Sequence, residues 1–417
     1  MLLSQRTTIR ISREEANIIG HMCYAAYKLW NICNYERIHY KELDLPKYPD
    51  WYYQKSAHKD NKWFRSLHSQ TAQEVCKALH EAWKSYFFLV KSGGIENPKP
   101  PRFKHEGMAV TYIQNGMLHD KEEGRVRLTL SRTLKRFMTE TYGIDANYLF
   151  LKNKIFQDID HIRQIRLYPP EKEKVELIMV YEVPDTEMSP DNGHYLSVDL
   201  GLHNLMTCYD SDGGSFILGR KYLSITRYYD KEIARVQSEW MEEQKRQGIR
   251  YPKSSEHIRR LYRRKSNSIN DYLHKITNYL ACYCEEKKIG TLIIGDITNI
   301  RKGRDLGRRT NQKLHGLPYR QIYRKLEYKL KKKGIRMILQ EESYSSQCSP
   351  KAKEVSRKYA EKKNRVKRGL YKDQGILYHA DAVGAYNIMR KYLALSGKEK
   401  ELPVSGLKEI KRIKVAV

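Results

Sequence analysis

The sequence predicts two architectures in one chain. The N-terminal half reads as α+β, with helices set into a β domain, and the C-terminal half as α/β, built on a sheet that includes parallel strands. Three observations carry this. Across residues 195–218 three short β-favouring runs follow one another over tight turn sequences, which is a meander. After it, helical patterns alternate with two buried strand patterns at 291–297 and 335–340, the alternation of a parallel sheet. Before it, helices with sharp start signals give way, beyond a proline-rich basic stretch, to short alternating runs.

At 417 residues the chain has room for two to four folding units by the rough prior of about 100 to 200 residues each. Its 78 Lys and Arg against 49 Asp and Glu give a formal charge of +29, which calls for a polyanionic partner. Nucleic acid fits better than a membrane surface, since no apolar run approaches the roughly 18 residues of a spanning helix and the Met1 region lacks a signal-peptide core. The 32 Tyr against 8 Phe favour rings that stack while keeping a polar edge. Seven scattered Cys suit a reducing cytoplasm.

Taken in order, a basic strand at 7–11 is followed by a helix that Ser12 and Glu15 start as a capping box. Its core face is Ala16, Ile19, Cys23, Ala26, Trp30 and Cys33. A loop or broken helices at 41–63 lead to a second helix expected to start at Thr71, with Glu74 three residues on, and to end at Gly93-Gly94. The stretch 97–104, Asn-Pro-Lys-Pro-Pro-Arg-Phe-Lys, is stiff and marks a boundary. Residues 108–183 read as a β domain, closed into a barrel by the N-terminal strand. Past the meander, 221–288 is helical with a break at 248–254. A strand follows, then a basic loop at 301–309, a helix ending at Gly334, a strand ending in Glu341-Glu342, and a helix opened by Asp381. The tail after Gly397 is basic and expected to be mobile.

Asp199 stands at the end of the first meander strand, where Gly201 permits a sharp turn. Catalytic groups of parallel-strand sheets gather at carboxyl ends, so Asp199, the Glu341-Glu342 pair and Asp381 can meet despite their separation. Carboxylates are the ligands of hard divalent cations, and a ribonuclease H-like arrangement holds two of them roughly 3.5 to 4 Å apart to hydrolyse a phosphodiester. Taken singly, Asp381 is also a good helix N-cap and the two Glu a solvated strand end.

The runs Asp199-Leu-Gly-Leu-His-Asn-Leu-Met-Thr207, Glu342-Ser-Tyr-Ser-Ser-Gln347 and Ala380-Asp-Ala-Val-Gly-Ala-Tyr-Asn-Ile388, with the helix before Gly334 and the 97–104 link, resemble the transposon-encoded TnpB nucleases and, next, the compact type V CRISPR effectors. That resemblance covers nearly the whole chain. It implies an RNA-guided DNA endonuclease of prokaryotic cytoplasm, associated with the nucleoid, one chain to each guide RNA. It implies a wedge β domain at 1–11 and 105–190 and a helical recognition domain with its linker at 12–104. The rest is a RuvC-like nuclease domain at 191–395 and a basic tail at 396–417. A guide RNA, target DNA as an RNA–DNA heteroduplex, a target-adjacent motif and Mg²⁺ in a two-metal site follow from the same resemblance.

Two departures bear on the site. The family's strand-end Val-Glu-Asp-Leu reads Ile294-Gly-Asp-Ile297 here, with Gly295 in place of the second acid. The branch that shares this Gly takes an acid from the next strand, which implicates Glu342 first, Glu341 second and Asp296 as a rival that strand alternation turns away. The family's two Cys-x-x-Cys pairs are reduced to Cys348, so no structural zinc is expected at 343–377, and a charged helical or looped insert takes its place. The competing reading is a nuclease-dead, RNA-guided DNA-binding protein, for which Gly295 is the argument.

Overall fold

A computed structural model of the chain describes residues 1–417 except 46, 252, 299–306, 308–315, 368, 399 and 416–417. The chain divides into two units, Met1–Asp185 and Thr186–Val417. Except for Gly307, the expected basic loop at 301–309 lies outside the described residues.

The first unit mixes helices and strands around one core. Strand β1 (Leu2–Arg10) runs into helix α1 (Arg13–Ile38) through a complete capping box, in which Glu15 N–H donates to Ser12 Oγ and Ser12 N–H to Glu15. Short helices α2 (Trp51–Ala57) and α3 (Lys62–Arg65) break the following segment, and α4 (Ser69–Ser92) ends at Gly93 in the left-handed region. The start of α4 differs from the expectation. No side chain caps it, and Thr71 lies inside the first turn, buried. Core packing of Thr71, Ala72 and Val75 outweighs the cap signal there.

Strands β2 (Val110–Ile113), β6 (His161–Leu167) and β7 (Lys174–Glu182) form a four-stranded antiparallel sheet with β1, in the order β1-β7-β6-β2. A second sheet holds β3 (Met117–Asp120), β4 (Arg125–Thr129) and β5 (Tyr148–Lys152), with helix α5 (Arg132–Tyr142) between the last two. The N-terminal strand joins the β domain as expected, but the described pairings make two open sheets and do not close a barrel.

The second unit is built on one mixed sheet. The meander strands are β8 (Tyr195–Leu200), β9 (Met206–Asp210) and β10 (Ser215–Leu218), all antiparallel neighbours. Helices α6 (Lys221–Arg246) and α7 (Glu256–Glu286) lead to β11 (Thr291–Asp296), which pairs parallel with β8. Helix α8 (Tyr319–Lys331) leads to β12 (Arg336–Glu341), which pairs parallel with β11. A hairpin of β13 (Leu370–Asp373) and β14 (Ile376–His379) precedes helix α9 (Ala380–Leu395).

Alternation sends Leu196, Val198, Leu292 and Ile294 to a core with α7 and α8, and Tyr195 and Ile293 to a second core under α9. Each fully buried Val, Leu or Ile is worth about 1.5–3 kcal/mol, so covering both faces fixes the register of β8 and β11. The tail differs from the expectation. Leu402 and Leu407 are buried, Tyr209 Oη donates to the Pro403 carbonyl at 2.7 Å, and β15 (Lys411–Arg412) adds a sixth strand parallel to β10. Its apolar side chains complete the α9 core, which a purely basic, solvated tail would leave open.

Candidate functional site

The strand order β12-β11-β8-β9-β10 brings the carboxyl ends of three parallel strands to one edge, where a cavity of about 700 Å³ opens. Asp199, Glu342, Asp381, Glu341 and Asp296 all line it.

Asp199 is the fifth residue of β8 and by alternation shares the α9 face with Tyr195 and Ser197. Ser197 Oγ donates to the Ala385 carbonyl at 2.7 Å, drawing the helix onto the strand. The approach is so close that a Cβ on Gly384 would stand 2.5 Å from Asp199 Oδ2. Burial first, then the Glu342 and Asp381 carboxylates, push the Asp199 carboxyl well above its ordinary range, and Arg365 opposes them.

Glu342 follows β12 directly. Its carboxylate fills the volume that a side chain at position 295 would occupy, since a Cβ there would meet Glu342 Oε2 at 2.5 Å. That oxygen is buried and has no hydrogen-bond partner. Burial, with Glu341 and Asp296 adding negative charge, raises the Glu342 carboxyl to about 7.

Glu341 leaves the same strand end in the opposite sense. Its side chain is 61% exposed, paired with Lys391 and accepting from Ser343 N–H at 2.6 Å. Burial raises its carboxyl, but those partners outweigh burial and hold it low. Asp296, opposite Glu341 in the β11–β12 register, accepts from Thr298 N–H at 2.9 Å. It also lies near enough to lift Glu342, so alternation turns it away less completely than expected.

Asp381 sits in the first turn of α9, where the helix dipole favours an anion. The residue preceding the helix is His379, so Asp381 is not spent as the cap. Asn204 Nδ2 donates to Asp381 Oδ2 at 2.9 Å, and Arg365 stands 3.6 Å from Oδ1. Asn204, Arg365 and Gly384 escape sequence reasoning, because each acts through a partner between 16 and 185 positions away. Asn204 lies inside the 199–207 run, yet nothing there names Asp381 as its acceptor.

Among the described residues no three His, Cys, Asp or Glu side chains converge into a single-ion cage. Mg²⁺ does not need one, since it is usually held by one or two carboxylates plus waters and substrate phosphates. The buried, unpartnered Glu342 oxygen beside the half-buried Asp199 is an all-oxygen donor set of that kind. Beyond Glu342, the segment carrying Cys348 is held by hydrogen bonds. Asn387 Nδ2 donates to the Ser345 and Cys348 carbonyls, both at 2.8 Å, and Cys348 Sγ donates to the Ser356 carbonyl at 3.3 Å. The insert forms short 3₁₀ turns at Arg357–Tyr359 and Lys362–Asn364 before β13.

A family model described as a probable transposase, OrfB_IS605, matches residues 178–301, and one described as the Cas12f1-like TNB domain matches residues 319–388. The TnpB-like protein ORF457 of Acidianus two-tailed virus is 23% identical over 431 residues, covering 93% of this chain and 86% of that protein. Among solved structures, a Cas12f1–sgRNA–target DNA complex is similar at 13% identity and a TM-score of 0.48, over 93% of this chain and 98% of that one. CasPhi-2 (Cas12j) bound to crRNA and phosphorothioate DNA is similar at 9% identity and a TM-score of 0.49, over 96% and 93%. Among the described residues no helix is long and apolar enough to cross a membrane. The two family models match the segments that carry the acid cleft, and with the viral relative they make the chain similar to the TnpB-like proteins and, over residues 319–388, to the Cas12f1-like TNB domain.

Proposed function

We propose that the chain is an RNA-guided DNA endonuclease whose ribonuclease H-like sheet holds divalent cations on Asp199, Glu342 and Asp381. The observation that carries this reading is the Glu342 carboxylate lying in the space vacated at Gly295, with one buried oxygen unpartnered. An acid supplied from β12 in this way replaces the one missing from β11. The relatives' printed descriptions, with guide RNA and target DNA in the Cas12f1 complex and crRNA and DNA in that of CasPhi-2, name the partners this reading requires. The +29 charge supplies the counter-field for both.

Mg²⁺ bound there would stabilise the charge that develops on the attacking and leaving oxygens of a phosphodiester. The residues do the rest. Asp199 and Glu342 supply the negative charge, and Gly295 and Gly384 let both carboxylates sit against the backbone. Asn204 keeps Asp381 turned into the cleft. Arg365, beside Asp381, neutralises part of the acid field and is free to exchange that partner for a phosphate. We assign the wedge to 1–11 and 105–190, recognition to 12–104, the nuclease domain to 191–395 and the tail to 396–417.

A nuclease-dead DNA-binding protein is the second reading, and Gly295 alone favours it. Against it, two half-buried carboxyls with raised pKa values cost stability that a dead protein has no reason to bear. The test is cleavage of DNA by the protein with its own RNA, in Mg²⁺. Asp199→Ala, Asp381→Ala and Glu342→Gln should each lower cleavage by more than about 100-fold, beyond what loss of an outer partner costs, and leave DNA binding intact. Glu341→Gln should keep most of the activity. Full cleavage by Glu342→Gln, with Asp296→Asn inactive, would move the second acid to Asp296.

A further inference from the structure

The first unit buries two thiols that the acid cleft does not use. Cys33 lies in α1 and Cys76 in α4, both fully buried where those helices pack, and their Sγ atoms stand 4.0 Å apart in hydrogen-bond contact. Among the described residues no other two cysteine sulfurs are paired in this way, and all seven cysteines are free. Beside the pair lies a cation without a counter-ion. Arg37, one helical turn on from Cys33 and 2% exposed, donates from Nε to Gln54 Oε1 at 2.9 Å and lies over the Tyr48 ring at 5.7 Å. Its Nη1 and Nη2 are shielded from water and have no hydrogen-bond partner. Glu36, whose carboxylate feels the same charge, is already paired with His58 at 2.9 Å. A buried guanidinium with unused N–H groups favours an anion beside it, and the Cys33 sulfur is within reach of its charge. The Cys76 contact first, and burial second, hold the Cys33 thiol protonated, while Arg37 draws it towards thiolate.

We propose that Cys33 and Cys76 are a disulfide-forming pair, closed by hydrogen peroxide, that clamps α1 to α4 within the first unit. The Cys33 thiolate attacks one peroxide oxygen, the O–O bond breaks and hydroxide leaves, which puts a sulfenic acid on Sγ. The Cys76 thiol then attacks that Sγ, and its proton departs with the hydroxyl as water. Two thiols are oxidised to one disulfide and one peroxide is reduced to two waters, the proton released by Cys33 neutralising the hydroxide. Closing the pair brings the sulfurs from 4.0 Å to about 2.05 Å, a shift shared between two Cα–Cβ rotations. Burial slows the reaction but directs it. Peroxide, near water in size, enters through local opening, and the sulfenic acid it forms has one thiol beside it. The exposed Cys282 meets oxidant sooner and has no cysteine partner among the described residues. The bond would close a loop whose ends are 43 residues apart and which contains α2 and α3, and long loops are where a crosslink removes most freedom from the unfolded chain.

The first measurement needs no variant. The full chain, treated with hydrogen peroxide, alkylated and digested without reductant, should yield a linked peptide joining Cys33 to Cys76, lighter than its two parents by two hydrogens. Dithiothreitol should release it. The oxidised chain should unfold roughly 5–15 °C higher than the reduced one. Cys33→Ala and Cys76→Ala should each abolish both the link and the rise, and Cys282→Ala should change neither. Cys33 and Cys76 still free after a treatment that oxidises Cys282, a link formed instead between Cys208 and Cys284, or an oxidised chain that unfolds no higher overturns the proposal. None of these readouts involves RNA or cleavage, so the pair stands or falls apart from the nuclease reading.

Discussion

The two units solve the same problem, an amphipathic sheet in water, in opposite ways. In Thr186–Val417 the central strands of the sheet are covered on both faces by separate cores, and solvent is met at the strand ends and along the edge strands. In Met1–Asp185 the small β3-β4-β5 sheet is covered on one face and open on the other. The difference decides where chemistry can sit. A doubly covered sheet exposes a ring of carboxyl ends, and two of the acids placed there, Asp199 and Glu342, are half-buried and raised in pKa, whereas the exposed Glu341 is held low by its partners. An open face exposes alternate side chains, and cations and rings placed there stay hydrated and near one another. Cutting needs the first setting, because metal-binding acids work best out of bulk water.

The covering of the larger sheet can be broken from its edge. Removing residues 402–417 takes away β15 and the buried Leu402 and Leu407, and at about 1.5–3 kcal/mol for each buried leucine the loss is about 3–6 kcal/mol. A denaturant titration of the truncated protein should show it, and an unchanged midpoint would mean that the tail does not cover the α9 core.

The strand-end acids give the next largest effect. With the folded Glu342 carboxyl raised to about 7, its contribution favours the fold below the ordinary carboxyl range and is lost as pH rises through about 7. The metal-free protein should therefore lose roughly 3 kcal/mol between pH 4.5 and pH 8 from this group, at about 1.36 kcal/mol per unit. On the proposed reading Mg²⁺ would bind the ionised form, so the unfolding-temperature gain on adding Mg²⁺ should grow over the same window and shrink in Glu342→Gln. A gain independent of pH would detach Glu342 from the metal.

The open sheet sharpens the contrast within one strand. Leu149→Ala, on the covered face of β5, should cost about 2–5 kcal/mol, whereas Phe150→Ala, next to it on the open face, should stay within about 1 kcal/mol by thermal unfolding. Equal losses would mean that the face is covered after all.

Much of this was legible because it is local. The meander strands, the Ser12–Glu15 capping box and the break between α6 and α7 each depend on residues within a few positions of one another. The opposite senses of Glu341 and Glu342 follow from strand alternation alone. Illegible features depend on distant partners. Thr71 carried a cap signal but serves the core, the tail's leucines needed the α9 core to give them meaning, and Asn204 acquires its role only when β8 and α9 are assembled.

The shared volume of Gly295 and Glu342 also constrains how such a site can change. A glutamate restored at position 295 while Glu342 remains would crowd its oxygen at 2.5 Å, and loss of Glu342 while Gly295 remains leaves the second acid absent. The oxygen that a glutamate at 295 would meet is the far end of a flexible side chain, so that glutamate would push the β12 acid aside while bringing its own, and the two positions are coupled across neighbouring strands. The two placements of the acid thus compete for one volume, and occupation by one displaces the other.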